Sequence, residues 1–185
     1  MARYTQLNKG FTLVELLVGL IVGLIVLSAV LYSFLTTARS SNYLRQTSEL
    51  ISETDTLMSL MTGEFRRVGY SDSNIATSLD TSVTNCVLYR YEKPDSSVGD
   101  IFGFRLTSGA VQTIVSSTAS CSVSDWVNIT PPNVSVASLS ISSSPSDSAE
   151  VRNVQIYLST EHAQDSDISV DIIKTVLLRN DVSQD

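Results

Sequence analysis

One carboxylate stands against a run of apolar residues long enough to cross a bilayer. Residues Lys9-Gly10-Phe11-Thr12-Leu13-Val14-Glu15 lead directly into twenty uncharged residues, Leu16 to Leu35. At helical rise, about 20 residues span roughly 30 Å, the thickness of a hydrocarbon core. An ionised acid at the edge of such a segment costs roughly 2 to 3 kcal/mol on insertion unless it lies near the interface or finds a cationic partner. Glu15 is therefore the residue in this chain with the strongest reason to do chemistry, and that chemistry is charge pairing. The plainer alternative is that it marks the cytoplasmic end of an ordinary anchor. A secretory signal peptide fits poorly, because its apolar region covers only about 7 to 15 residues. Thr36 and Ala38 only imitate a cleavage site beyond the run.

A second search for chemistry centres on His162, the one histidine, beside Glu161 and near Asp165 and Asp167. A Ser-His-Asp site needs three groups converging on a shaped pocket, and no nucleophile elbow, phosphate loop or metal-ligand spacing accompanies these residues. The expectation is an exposed loop histidine with no catalytic role, and no enzyme. Asp165, Asp167 and Asp171 offer oxygen ligands, but their spacing is not that of an EF-hand loop. No metal or cofactor is expected.

The segment Gly10-Phe11-Thr12-Leu13-Val14-Glu15 resembles the processing site of type IV prepilins and type II secretion pseudopilins. The resemblance implies cleavage by a membrane peptidase after Gly10 and N-methylation of the new terminal Phe11. It also implies that Glu15 pairs with the amino terminus of a neighbouring subunit. The physics agrees, since an ammonium released at membrane depth and a carboxylate one helical turn along attract in a medium of low dielectric. Residues 1–10 then form a leader, 11–37 the membrane half of a long helix, 38–69 its amphipathic half, and 70–185 a β-rich globular domain. Arg66-Arg67-Val68-Gly69-Tyr70 and the closing Thr175-Val176-Leu177-Leu178-Arg179-Asn180 are similar to PilW-type minor pilins and to J-type minor pseudopilins. The resemblance covers the first seventy residues and the last thirty or so. It implies a minor pilin that helps initiate and cap a type IV pilus, with a minor pseudopilin of a type II secretion system as the alternative. The implied partners are prepilin peptidase, other minor pilins, the major pilin, a tip adhesin and, before assembly, the inner membrane. The amino terminus is cytoplasmic in that topology; charge alone leaves the orientation open, with Arg3 and Lys9 before the span and Arg39 and Arg45 after it.

The elements that must carry these residues follow from periodicity. No proline interrupts the chain before Gly69, and Leu44, Ile51, Met58 and Phe65 recur every seven residues beside Leu50, Leu57, Met61 and Val68. That stripe predicts a helix from Phe11 to Val68 packed on the chain's own sheet. A dimeric coiled coil would need more heptads and opposed flanking charges. Arg45, Gln46, Glu49, Glu53 and Asp55 are expected to face water. Gly19 and Gly23 have small-xxx-small spacing, which serves either helix docking in lipid or simple looseness. The fold class is α+β: a pilin-like long N-terminal helix against a C-terminal antiparallel β-sheet domain.

Beyond Tyr70, strands are expected at 86–91, 101–106, 110–115, 126–129, 137–141, 153–158 and 171–178, the last as a more central strand. Thr107-Ser108-Gly109 is expected to join a hairpin. In 137–141, Ala137, Leu139 and Ile141 form the dry side. Ser71–Asn85, Glu92–Asp100, Ser142–Glu150 and Ser159–Asp167 read as loops. Cys86 and Cys121, outside the cytoplasm in the implied topology, are expected to form a disulfide. Two buried thiols or a metal site are the alternatives. The formal net charge is −7. It moves to about −9 once a leader holding Arg3 and Lys9 is removed, which disfavours nucleic acid as a partner.

Overall fold

A threonine with a glutamate three residues on, followed by good helix formers, starts a helix that lasts 53 residues: α1, Leu13–Phe65. The computed structural model describes residues 10–72, 77–93, 100–144, 153–180 and 183–184. Arg3, Lys9 and the rest of the expected leader up to Lys9 lie outside the described residues, as do parts of three expected loops, 73–76, 94–99 and 145–150. The chain divides into two units, Met1–Arg45 and Gln46–Asp185.

In the first unit, an 18-residue window of α1 reaches a mean hydropathy of 2.8, and none of it is buried. Three of its hydroxyl groups bond back to the helix backbone. Ser28 donates to Leu24 O (2.7 Å), Thr36 to Tyr32 O (3.0 Å) and Thr37 to Ser33 O (2.9 Å). Such back-bonding lets polar side chains sit in a lipid-facing helix without orphaned donors.

In the second unit, the carboxyl-terminal part of α1 buries Leu50, Thr54, Leu57, Met58, Met61 and Phe65. These side chains share one core with strands from two sheets. The buried face is displaced from the heptad expectation, because Leu44 and Ile51 are exposed. Of the expected polar positions, Arg45 and Asp55 are exposed, whereas Gln46, Glu49 and Glu53 are half-buried. Glu49 Oε1 accepts from Asn133 Nδ2 at 2.8 Å, Asp55 Oδ1 from Lys174 Nζ at 2.8 Å, and buried Thr54 bonds Thr160 Oγ1 at 2.8 Å. The α-helix ends three residues earlier than expected, at Phe65, and tight turns carry the chain to Gly69, whose φ of 84° only glycine adopts cheaply.

The strands are β1 (Ser78–Asp80), β2 (Cys86–Arg90), β3 (Ile101–Thr107), β4 (Ala110–Ser116), β5 (Val127–Asn128), β6 (Val134–Ser144), β7 (Asn153–His162), β8 (Asp165–Leu177) and β9 (Ser183–Gln184). They form a six-stranded sheet, β5-β4-β3-β2-β1-β9, and a three-stranded sheet, β6-β7-β8. All pairings are antiparallel except β1 with β9. Both faces of the larger sheet carry an apolar cluster. Val87, Tyr89, Phe102 and Phe104 point into the core shared with α1, and Phe65 lies 5.3 Å from Tyr89 and 6.0 Å from Phe104 between ring centroids. Cys86, Ile114 and Trp126 make a second core on the other face, with Leu88 and Ile101 packed against it.

Three strand expectations are corrected. The β3–β4 connection has two residues, since Thr107 pairs with Ala110, and both Ser108 (φ 52°) and Gly109 (φ 75°) are left-handed. That is the signature of a type I′ turn, whose twist matches the flanking strands. In β6 a bulge between Val136 and Ser138 switches the inward parity from Val134 and Val136 to Leu139 and Ile141, leaving Ala137 exposed. Finally, β7 is the middle strand, with Val154, Ile156 and Leu158 fully buried, while β8 lies at the edge with Ile173 and Leu177 exposed. Apolar residues on both parities suggested a central strand, but only one parity of β8 meets the core.

Candidate functional site

The amino-terminal site is built from Thr12 upward. Thr12 Oγ1 accepts the Glu15 N–H at 3.3 Å, and the Glu15 carboxylate reaches back to accept the Thr12 N–H and hydroxyl, each at 3.4 Å. This is a capping box of the Thr-x-x-Glu kind. The first helical backbone bond runs from Leu16 N–H to Thr12 O at 3.2 Å. Glu15 sits in the first turn, where the positive end of the helix dipole favours an anion. Sequence reasoning gave Glu15 a role but missed Thr12, although the three-residue spacing between them announces the cap. Phe11 is 85 % exposed, and nothing lies within 4 Å of where a Cβ on Gly10 would be. Among the described residues nothing covers Gly10 or Phe11, and the Glu15 carboxylate follows one helical turn along. At Gly19 and Gly23 the space a side chain would fill is equally open.

The other candidates lie in the globular unit. Cys86 and Cys121 are joined in a disulfide with a Cα separation of 6.1 Å. The segment between β4 and β5 that carries Cys121 is held by Arg105, whose Nη1 donates to Cys121 O (2.9 Å) and Val123 O (3.1 Å) and whose Nε donates to Gln112 Oε1 (2.8 Å) on β4. The guanidinium carbon lies 4.7 Å from the centroid of the Trp126 ring, and Trp126 Nε1 donates to Ser120 O at 3.1 Å. A cation–π contact and two charge-assisted bonds thereby fix residues 117–126, which form no strand or helix of their own.

His162 is not an exposed loop residue. It is buried at the end of β7, and its Nδ1 accepts the Gln164 N–H at 3.3 Å across the turn into β8. The expected loop at Ser159–Asp167 is instead two strand ends joined by Ala163 and Gln164. Asp165 Oδ1 accepts the Asp167 N–H at 3.2 Å, and Asp171 Oδ1 accepts from the Tyr157 hydroxyl at 3.3 Å on the outer face. Among the described residues, no group of three or more His, Cys, Asp or Glu side chains is placed to hold a metal ion.

An exposed apolar helix that opens on this site and leads into a β-sheet domain defines a type IV pilin-like protein. Residues 43–178 match the family model of prepilin peptidase-dependent protein B, and residues 6–31 match the prokaryotic N-terminal methylation motif. The first match spans well over half of the sequence, and the chain belongs to the prepilin peptidase-dependent protein B family. No curated protein and no solved structure matches it. Membership makes prepilin peptidase its processing partner, and the apolar helix with its motif fits membrane anchoring and pilus-type assembly.

Proposed function

We propose that this protein is a minor pilin that helps to initiate and cap a type IV pilus. Prepilin peptidase removes residues 1–10 by cutting between Gly10 and Phe11, and Phe11 becomes the N-methylated terminus. Residues 11–37 lie in the inner membrane before assembly and in the filament core afterwards. The amphipathic half, 38–69, carries the globular domain, 70–185, on the outer side, at the tip with other minor pilins, the major pilin and an adhesin. Glu15 recognises the terminal ammonium of a neighbouring subunit. Its cap contacts of 3.3 to 3.4 Å are long. A carboxylate–ammonium bond carries a full charge on both partners and forms at about 2.7 to 2.9 Å, so assembly can draw the carboxylate out of its cap.

The observation that carries this reading is the methylation-motif match at residues 6–31, falling on an exposed Gly10–Phe11 bond beside a carboxylate. Mass spectrometry of the mature amino terminus tests it. N-methyl-Phe11 is the expected species; an intact Met1, or a chain cut near Ala38, overturns the assignment. In cells, deletion should leave few surface pili, and Glu15→Ala should fail to restore them. Normal piliation with lost protein secretion would transfer the protein to the type II secretion pseudopilus.

A further inference from the structure

Two short segments more than a hundred residues apart in sequence, Arg66–Tyr70 and Thr175–Asn180, meet in the globular unit. Asn180 Nδ2 donates to Val68 O at 3.2 Å. Gly69 N–H donates to Arg90 O (3.4 Å) and Glu92 N–H to Tyr70 O (2.8 Å), which lays the chain leaving α1 along the end of β2. Around this junction opens a cleft of about 470 Å³, lined by Arg66, Arg67, Tyr70, Tyr91 and Arg179, with Glu92, Lys93 and Asn180 completing it. Four of the chain's twelve Lys and Arg residues therefore line one concavity of a protein whose net charge is −7.

The walls are organised. Glu64 holds Arg67 Nη1 at 2.7 Å through Oε1 and accepts the Tyr91 hydroxyl at 3.0 Å through Oε2. Tyr91 in turn stacks on Phe102, with centroids 4.3 Å apart and planes at 16°. The aromatic side of the cleft is thus anchored to the core rather than free to rotate. Arg66 and Arg179, by contrast, are exposed, and neither side chain makes an ion pair or hydrogen bond among the described residues. Two guanidiniums beside an anchored tyrosine are therefore available to a ligand.

We infer that this cleft is a docking site for an acidic peptide segment of a partner protein, in which an Asp or Glu side chain is flanked by an apolar or aromatic one. Guanidinium forks match carboxylates in shape and charge, and a fixed aromatic ring accepts the flanking side chain. The volume suits a few side chains rather than a whole domain. A polyanion is the weaker fit: Glu92 lines the cleft, Glu64 sits behind Arg67 and Tyr91, and the acidic molecule as a whole repels phosphate backbones. The site belongs to the globular unit and stands whether or not the chain is processed at Gly10.

The test uses the full chain in neutral detergent micelles and fluorescence anisotropy. The probe is a fluorescein-labelled pentapeptide of two Glu and one Asp separated by Phe and Leu; its Gln and Asn counterpart is the control. Saturable binding of the acidic peptide alone is expected. Arg66→Glu combined with Arg179→Glu should weaken it roughly tenfold or more, while Arg39→Glu with Arg45→Glu, neither of which lines the cleft, should not. Unchanged Trp126 fluorescence and thermal midpoint establish folding. If the reversed pair does not fold, Arg66→Gln with Arg179→Gln should weaken binding in the same direction by a smaller factor. Four results overturn the proposal: equal binding by the cleft variants, equal binding of the neutral peptide, no saturation at millimolar peptide, or tighter binding of inorganic phosphate or a thymidine oligonucleotide.

Discussion

Gly103 and Gly63 should respond to the same substitution with opposite signs. Gly103 lies in β3, and a Cβ there would sit 2.8 Å from Leu88 Cδ2, 2.8 Å from Val87 O and 2.9 Å from the Trp126 ring. One of these neighbours is the backbone of the paired strand, which cannot retreat without loosening the β2–β3 ladder. Replacing glycine by alanine in a strand recovers roughly 0.5 to 1 kcal/mol of backbone entropy, whereas overpacking costs about 1 to 3 kcal/mol. With three contacts below 3.0 Å the overpacking wins, and Gly103→Ala should destabilise by about 2 kcal/mol. For a domain of this size that lowers the midpoint by roughly 6 to 10 °C. Gly63, inside α1, has nothing within 4 Å of its Cβ position. Gly63→Ala should therefore stabilise by about 1 kcal/mol through helix propensity alone. Thermal melts followed by circular dichroism report the whole domain, and Trp126, the one tryptophan, reports the site itself. A Gly103→Ala midpoint within roughly 2 °C of the wild type would refute the packing argument.

Three further outcomes follow from the described contacts. Replacing Cys86 and Cys121 together by Ser opens a loop with a sequence separation of 35 residues, and loop-closure entropy then predicts a loss of about 3.8 kcal/mol in urea unfolding; a loss below about 1 kcal/mol would contradict it. Burial first, then the nearby Glu64 carboxylate, holds the Tyr89 phenol well above the ordinary value of 10.0, and burial likewise raises Tyr91. Both are raised acids that stay neutral in the fold, so their contribution is complete below pH about 10 and is lost as pH climbs through their folded values. Absorbance at alkaline pH should show these two ionising late and together with unfolding, and two early, independent titrations would count against the packing of the pair. Finally, Lys174→Ala should change stability by less than about 0.5 kcal/mol, because the 2.8 Å pair with Asp55 is exposed on both sides; a double-mutant cycle gives the figure.

Local rules made the α+β architecture readable before any coordinates. The unbroken run to Gly69, the alternation of Val154, Ile156 and Leu158, and the presence of a hairpin about Gly109 each follow from spacing within a few residues, although the hairpin's turn has two residues rather than the expected three. Failures occurred where a distant neighbour decides. Ala137 looked inward because nothing local marks the β6 bulge, which appears only when Val136 and Ser138 pair with Thr160 and Ser159. Asp171–Leu178 looked central because its composition cannot show that no strand pairs beyond it. His162 looked exposed because the two-residue turn at Ala163-Gln164 carries no Gly or Pro. At the amino-terminal site, the residues of the motif were all visible, but a reading centred on intersubunit charge hid the local bond between Thr12 and Glu15. The cationic cleft was legible only as two separate segments, since their meeting depends on how α1 and the last strands pack.

The position of the helix start bears on how the chain matures. Among the described residues, every bond that fixes that start, from the Leu16 amide to the reciprocal Thr12 and Glu15 contacts, lies on the carboxyl side of Phe11. Hydrolysis at Gly10 under the proposed scheme would break none of them and unwind no turn. Maturation would then be a change of charge at a finished scaffold, leaving the peptidase free to act late, on a protomer already folded and waiting in the bilayer.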